Sequence, residues 1–143
     1  MKLLPTSASA TASSDWFTGD VWLDPIAGPQ NADQRMRATL VRFAPSARTA
    51  WHSHARGQTL HIVHGVAFFG NRAGLVIRAA QGDTVYAEPG EEHWHAAAPD
   101  RFMEHLALIE DADDPADTTT WLEQVSDAEY AEAVARAESP ARR

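Results

Sequence analysis

All seven histidines of this chain fall between His52 and His105. Four residues of that stretch, His52, His54, Gln58 and His93, have the spacing of a metal site. Alternate residues of a strand share a face, so His52 and His54 turn their imidazoles to one side and Ser53 turns away. Gln58 follows Ala55, Arg56 and Gly57, which leave room for a turn, and starts the next strand on the same inward face. His93 follows the Pro89 and Gly90 turn, at the head of a strand that a closed sheet brings beside the first pair. Three imidazoles and a carboxamide leave one or two positions for water or substrate on a five- or six-coordinate ion. Because all four ligands are neutral, a divalent ion keeps its full charge and is a stronger Lewis acid than one bound by a carboxylate. The same neutrality works against raising the metal's oxidation state. One divalent ion per chain is expected, with Fe, Ni, Zn and Mn all suited to these donors.

His105 supplies a second kind of chemistry. If the 102–109 segment is a strand that turns His105 inward, then Met103, Ala107 and Ile109 share its face and enclose one base in an apolar pocket. Desolvation and a nearby dication both favour neutral imidazole, and a neutral histidine facing a substrate hydroxyl is a general base. His95 is in phase with His93 and either looks into the same cavity or supports a ligand from behind. His61 is out of phase with Gln58, and His64 sits at a Gly65 turn, so both fall outside the site. The plainer alternatives are a hydrogen-bonded polar cluster in a metal-free barrel and, for His105, a core histidine satisfied by a backbone carbonyl. Trp51, Trp94, Phe43 and Phe69 read as packing residues.

These side chains need a scaffold of strands. Segments rich in β-branched and aromatic residues recur at 21–23, 36–43, 49–54, 59–63, 66–69, 75–77, 84–87, 93–96 and 102–109, separated by Gly, Pro and Asn/Asp signals. Strands spaced about 8 to 12 residues apart, with no helical pattern between them, predict an all-β antiparallel sandwich or barrel. Ser126 and Glu129 form a capping-box signature before a run of helix formers, which predicts one short helix at about 126–138. Residues 5–14 are small and polar, so 1–14 is expected to be a flexible arm and 15–143 a single domain.

Composition removes several function classes. A chain of 143 residues fits one ordinary domain. Its formal charge is −8, and ten of its twenty acids lie at 110–138, so neither nucleic acid nor an anionic membrane is an expected partner. The absence of cysteine rules out disulfides and thiolate catalysis and suits a reducing cytoplasm. Pro5 and a Ser/Thr/Ala run follow Leu3 and Leu4, where an export signal needs an apolar stretch. No apolar run approaches the roughly 18 residues of a membrane span. A small-molecule substrate in the cytoplasm is the remaining expectation.

The motif residues resemble the cupins. His52, His54, Gln58 and Gly65 fit the spacing of their first motif, with Ser46 in place of its opening glycine and Gln58 in place of its usual glutamate. Gly82, Gly90 and His93 fit the second, where Glu88 replaces the proline, Pro89 lies one place later and Ala97 stands where Asn is usual. The motif core spans 36–109. A narrower resemblance, over about 15–130, is to the small bacterial manganese-dependent cupin hydroxynitrile lyases. It is carried by Asp15 to Gly19, Ala47 to His54, Gly57 to Leu60, Pro89 to Pro99 and His105 to Ala107. This resemblance implies a jelly-roll barrel, homodimerisation, manganese on His52, His54, Gln58 and His93, and catalysis by His105. Ile109 stands where those lyases carry glutamine, which removes one polar handle for cyanide. Apolar residues on both phases of the 102–109 segment, Leu106 and Leu108 opposite Ala107 and Ile109, also call for cover on each face of the sheet.

The expected function is a metal-dependent lyase that cleaves a cyanohydrin to an aldehyde and cyanide. The alternatives are a cupin dioxygenase with the same ligands and a non-catalytic small-molecule-binding cupin.

Overall fold

The computed structural model describes residues 1–139, so the last four positions of the domain expected at 15–143 lie outside the described residues. Twelve strands are described: β1 Ala10–Thr11, β2 Phe17–Thr18, β3 Val21–Ala27, β4 Met36–Phe43, β5 Arg48–Thr49, β6 His52–His54, β7 Gln58–Asn71, β8 Val76–Ala80, β9 Thr84–Ala87, β10 His93–Ala97, β11 Met103–Glu110 and β12 Thr119–Trp121. The helix α1, Asp127–Glu138, closes the described chain.

All pairings are antiparallel and build two curved sheets around one interior. The first sheet runs β1-β3-β4-β11-β7-β9. In the second, β10 pairs with β5, β6 and β7, β8 lies on the far side of β7, and β2 and β12 extend it through β5 and β6. Strand β7 belongs to both sheets, its first half pairing with β9 and β11 and its second with β8 and β10. Two separate strands with a turn at Gly65 are expected from the sequence, and the structure corrects this. Gly65 takes φ 80° inside a continuous strand, and a Cβ there would stand 2.0 Å from the Phe102 carbonyl oxygen. The glycine permits a sharp bend rather than a reversal. Val63, the residue left out of register beside it, marks the bulge. His64, expected at a turn, is an exposed strand residue.

The strand expected at 49–54 is broken at Ala50 and Trp51 into β5 and β6. Of the arm expected at 1–14, Ala10 and Thr11 are strand residues paired with Leu23 and Trp22, and Ala12 packs on the core. The pairing satisfies backbone groups that would otherwise lie exposed along the edge of β3.

Apolar packing holds the sheets together and covers one of them. Val21, Val41, Phe43, Leu60, Ile62, Phe69 and Met103 fill the space between the sheets. On the outer face of the second sheet, Trp51, Phe68, Trp94 and Ala96 pack against Val125, Tyr130, Ala133 and Val134. The helix starts as the sequence predicts: Ser126 Oγ accepts from the Glu129 N–H at 3.1 Å, and the Glu129 carboxylate accepts from the Ser126 N–H at 2.7 Å. The Tyr130 hydroxyl donates to the Ala97 carbonyl at 2.8 Å and pins the helix over β10. Leu106 and Leu108, on the outer face of the first sheet, remain half-buried.

Candidate metal centre

Three backbone features bring the histidines together. The register of β6 on β10 sets His52 opposite His93. Gly57, at φ 77°, makes the turn that returns the chain from His54 to Gln58, and a Cβ there would stand 2.7 Å from the Ala87 carbonyl oxygen. The inward phase of β11 adds His105, whose ring is fully buried beside Phe43. His52, His54, His93 and His95 have ring centroids 4.4 to 5.7 Å from one another in five of their pairs. Ligand atoms of His52, His93 and His95 all lie within 4.8 Å of each other, close enough for one ion.

Hydrogen bonds behind the rings decide which nitrogens are free. His52 Nδ1 donates to the Ala50 carbonyl at 2.9 Å, and His93 Nδ1 donates to the Glu91 carbonyl at 2.8 Å. A carbonyl oxygen only accepts, so in their neutral form both rings carry the proton on Nδ1 and a lone pair on Nε2. Glu91 is itself fixed, because Asn71 Nδ2 and the Glu88 N–H donate to its carboxylate at 2.7 and 2.9 Å. His54 Nδ1 lies 3.0 Å from the Thr119 hydroxyl, and its Nε2 is buried without a partner. Gln58 Oε1 stands 3.1 Å from His93 Nε2. Two acceptor atoms facing each other are poorly matched as a hydrogen bond and well matched as two ligands of one cation. The donor set and the unpartnered His54 nitrogen therefore fit a divalent ion. His52, His54, Gln58 and His93 lie near one another, but the tightest triad is His52, His93 and His95, which takes in His95 and leaves His54 at its edge.

Burial keeps these rings neutral. Desolvation, followed by the neighbouring His93, pushes His54 down to about 4. Desolvation accounts for His105 at about 4. Burial is also the first cause of lowering in His52, His93 and His95, with neighbouring histidines adding to the effect in His52 and His95.

A cavity of about 220 Å³ opens onto this group. His52, His54, Gln58, His95 and His105 line it on one side, and Phe17, Leu23, Val41, Phe43, Ile109 and Trp121 supply apolar wall. Ala107 and Ile109 also line it. Met103 is not among the lining residues: although it shares the phase of His105, it is buried in the apolar core between the sheets, beyond the register shift at Val63. His95 Nδ1 and His105 Nε2 lie 3.0 Å apart, while His95 Nε2 and His105 Nδ1 have no partner. His61 faces outward and meets the Thr84 hydroxyl at 2.9 Å.

Sequence reasoning passed over β12. Thr119 and Trp121 both line the cavity, pairing in register with His54 and His52. Trp121 lies over His52 with ring centroids 4.7 Å apart and stacks on Trp16 at 5.4 Å. The signal was present in the β-branched run Thr118 to Thr120 followed by a tryptophan.

Comparison with known proteins agrees with this architecture. The Cupin domain family matches residues 39–108. The chain is 42% identical over 131 residues to an (R)-mandelonitrile lyase of Granulicella tundricola, covering 91% of this chain and 97% of that one. A crystal structure of a cupin-like protein from Thermotoga maritima superposes with a TM-score of 0.80 at 32% identity, covering 93% of this chain and 97% of that one. A cupin 2 conserved barrel protein of Rhodopseudomonas palustris, at 17% identity and a TM-score of 0.67 over 87% of this chain and 81% of that one, shares the fold. Barrel, paired histidine motifs and relatives together place this chain in the cupin family.

Proposed function

We propose that this cupin is a metal-dependent lyase that cleaves a small cyanohydrin to an aldehyde and cyanide. The observation that carries the proposal is the His95–His105 pair, which faces the same 220 Å³ cavity as His52, His54 and Gln58. The (R)-mandelonitrile lyase relative supports the reaction class, and the Phe17, Leu23 and Trp121 wall suits an aryl or alkyl substituent.

A divalent ion on His52, His54, Gln58 and His93 supplies Lewis acidity toward a substrate hydroxyl. The remaining work falls to the His95–His105 pair. Two neutral imidazoles that share one N–H···N bond have one further proton, so one of their outer nitrogens carries a lone pair. That lone pair takes the hydroxyl proton as the general base. The oxygen's electron pair forms the C=O bond as the carbon–cyanide bond breaks, and cyanide leaves with the proton returned by the pair. His105 is the proposed catalytic base, with His95 hydrogen-bonded to it. Ile109 leaves the cyanide side of the cavity apolar.

Manganese as the ion, homodimerisation and a cytoplasmic location belong to the same proposal. The first two rest on the resemblance to the manganese-dependent lyases, and half-buried Leu106 and Leu108 add to the case for a partner copy. The third rests on a sequence without cysteine. Among the described residues no helix is long and apolar enough to cross a membrane.

The test is the metal content of tag-free protein, followed by mandelonitrile cleavage after chelation and after Mn²⁺ is restored. About one metal per chain and benzaldehyde release that returns with Mn²⁺ are expected. Full activity in chelated protein would remove the metal from the reaction. A second reading draws on the His52, His93 and His95 triangle, three neutral ligands that also suit a dioxygenase, and substrate-dependent oxygen uptake would favour it.

A further inference from the structure

We infer that Thr119 is a positioning residue of the metal centre, and that β12 serves as a strap holding the His54 ligand in place. The inference rests on His54 being a ligand, as in the function proposed above.

Three rings of the centre are tethered through Nδ1, but not by the same chemistry. His52 and His93 donate to backbone carbonyls two residues away, so local chain geometry fixes them. His54 has no such carbonyl, and its tether is the Thr119 hydroxyl, 65 residues further along the chain. With Nδ1–H donating to that oxygen, the buried and unpartnered His54 Nε2 presents a lone pair for an ion. Among the described residues, no other hydrogen bond holds the Nδ1 of that ring in place.

The strand is anchored well enough to do this. In register, Thr119 faces His54 and Trp121 faces His52. The Ala55 N–H donates to the Thr118 carbonyl at 3.0 Å, the Leu122 N–H to the Trp51 carbonyl at 2.8 Å, and the Ala112 N–H to the Thr118 hydroxyl at 2.9 Å. Trp121 is held between Trp16 and Phe17, with ring centroids at 5.4 and 5.6 Å. The strap lies beyond the residues 39–108 that carry the cupin match, so this chain supplies the His54 tether from outside the family's core.

The test measures Mn²⁺ affinity of chelator-stripped protein by calorimetry, with melting of the metal-free variants as the folding control. Thr119→Val keeps the shape and removes the acceptor, and about a 10-fold loss of Mn²⁺ affinity is expected. Thr119→Ser keeps the hydroxyl and should stay within about twofold of the parent, while Thr119→Ala repeats the loss should the valine variant not fold. Parental affinity in Thr119→Val, alongside loss in His54→Ala, would overturn the role of Thr119 and leave the ligand set standing. An equal loss in Thr119→Ser would assign the effect to strand packing and overturn it too. Parental affinity in His54→Ala would remove His54 from the ligand set and the strap's role with it.

Discussion

The buried histidines are held in two different ways. His52, His54 and His93 are each tied through Nδ1 to a carbonyl or hydroxyl behind them. The rings of His95 and His105 are tied only to each other. A ring with a fixed back nitrogen has one tautomer to offer and suits a ligand, whose lone pair must always be in place. A ring bonded to another ring can carry its proton at either end of the pair, and suits a group that takes up a proton and gives it back. In the proposed function the same side chain would do two jobs, separated by what stands behind it.

The sharpest way to break this comparison is His105→Ala. It should lower kcat for cyanohydrin cleavage by about 10² to 10⁴-fold and leave about one metal per chain. Metal loss in that variant, or parental turnover, would show that the two groups of rings do not divide the work.

The next largest effect concerns pH. His54 and His105 titrate near 4 in the folded protein and near 6.5 once unfolded. Folding stability from their neutrality is thus complete above about 6.5 and is lost as pH falls towards 4, where the unfolded chain binds protons that the native one does not. For fully buried His105 the loss approaches about 3 kcal/mol. Urea unfolding of metal-free protein between pH 7 and pH 4.5 should show this fall, and His105→Ala should make it shallower by the His105 share while the other buried histidines keep the rest. A flat parental profile would mean that the rings are not kept neutral by burial.

The smallest effect is a control outside both groups. Ser46 sits at φ 64° as the third residue of the Ala44 to Ala47 turn, a position that favours glycine, and it occupies the place of the first cupin glycine. Ser46→Gly should add about 1 kcal/mol to stability in urea and leave metal content and turnover unchanged. A drop in metal affinity would tie this turn to the centre.

Much of the site was legible in the sequence because local spacing specifies it. Alternation along β6 puts His52 and His54 on one face, and the turn at Gly57 brings Gln58 back to them. Residues that depend on distant chain segments were harder to read. Met103 has the phase of His105 but not its surroundings: it lies past the register shift that the unpaired Val63 makes on the neighbouring strand, and alternation alone does not announce such a shift. Thr119 and Trp121 reach the centre through a pairing of β12 with β6 that no local pattern announces. The 3.0 Å approach of His95 to His105 joins two strands that are not direct neighbours, so their shared proton could not be foreseen from either one.

Strand β7 couples this chemistry to the stability of the whole molecule. Its first residue is Gln58, at the candidate metal centre, and its last, Asn71, secures the Glu91 turn that orients His93. Since one strand serves both sheets without interruption, neither sheet can open alone without disturbing the centre. Filling the chamber should therefore slow hydrogen exchange across the barrel, with amides of β8, on the far side from β4, gaining protection together with those of β4.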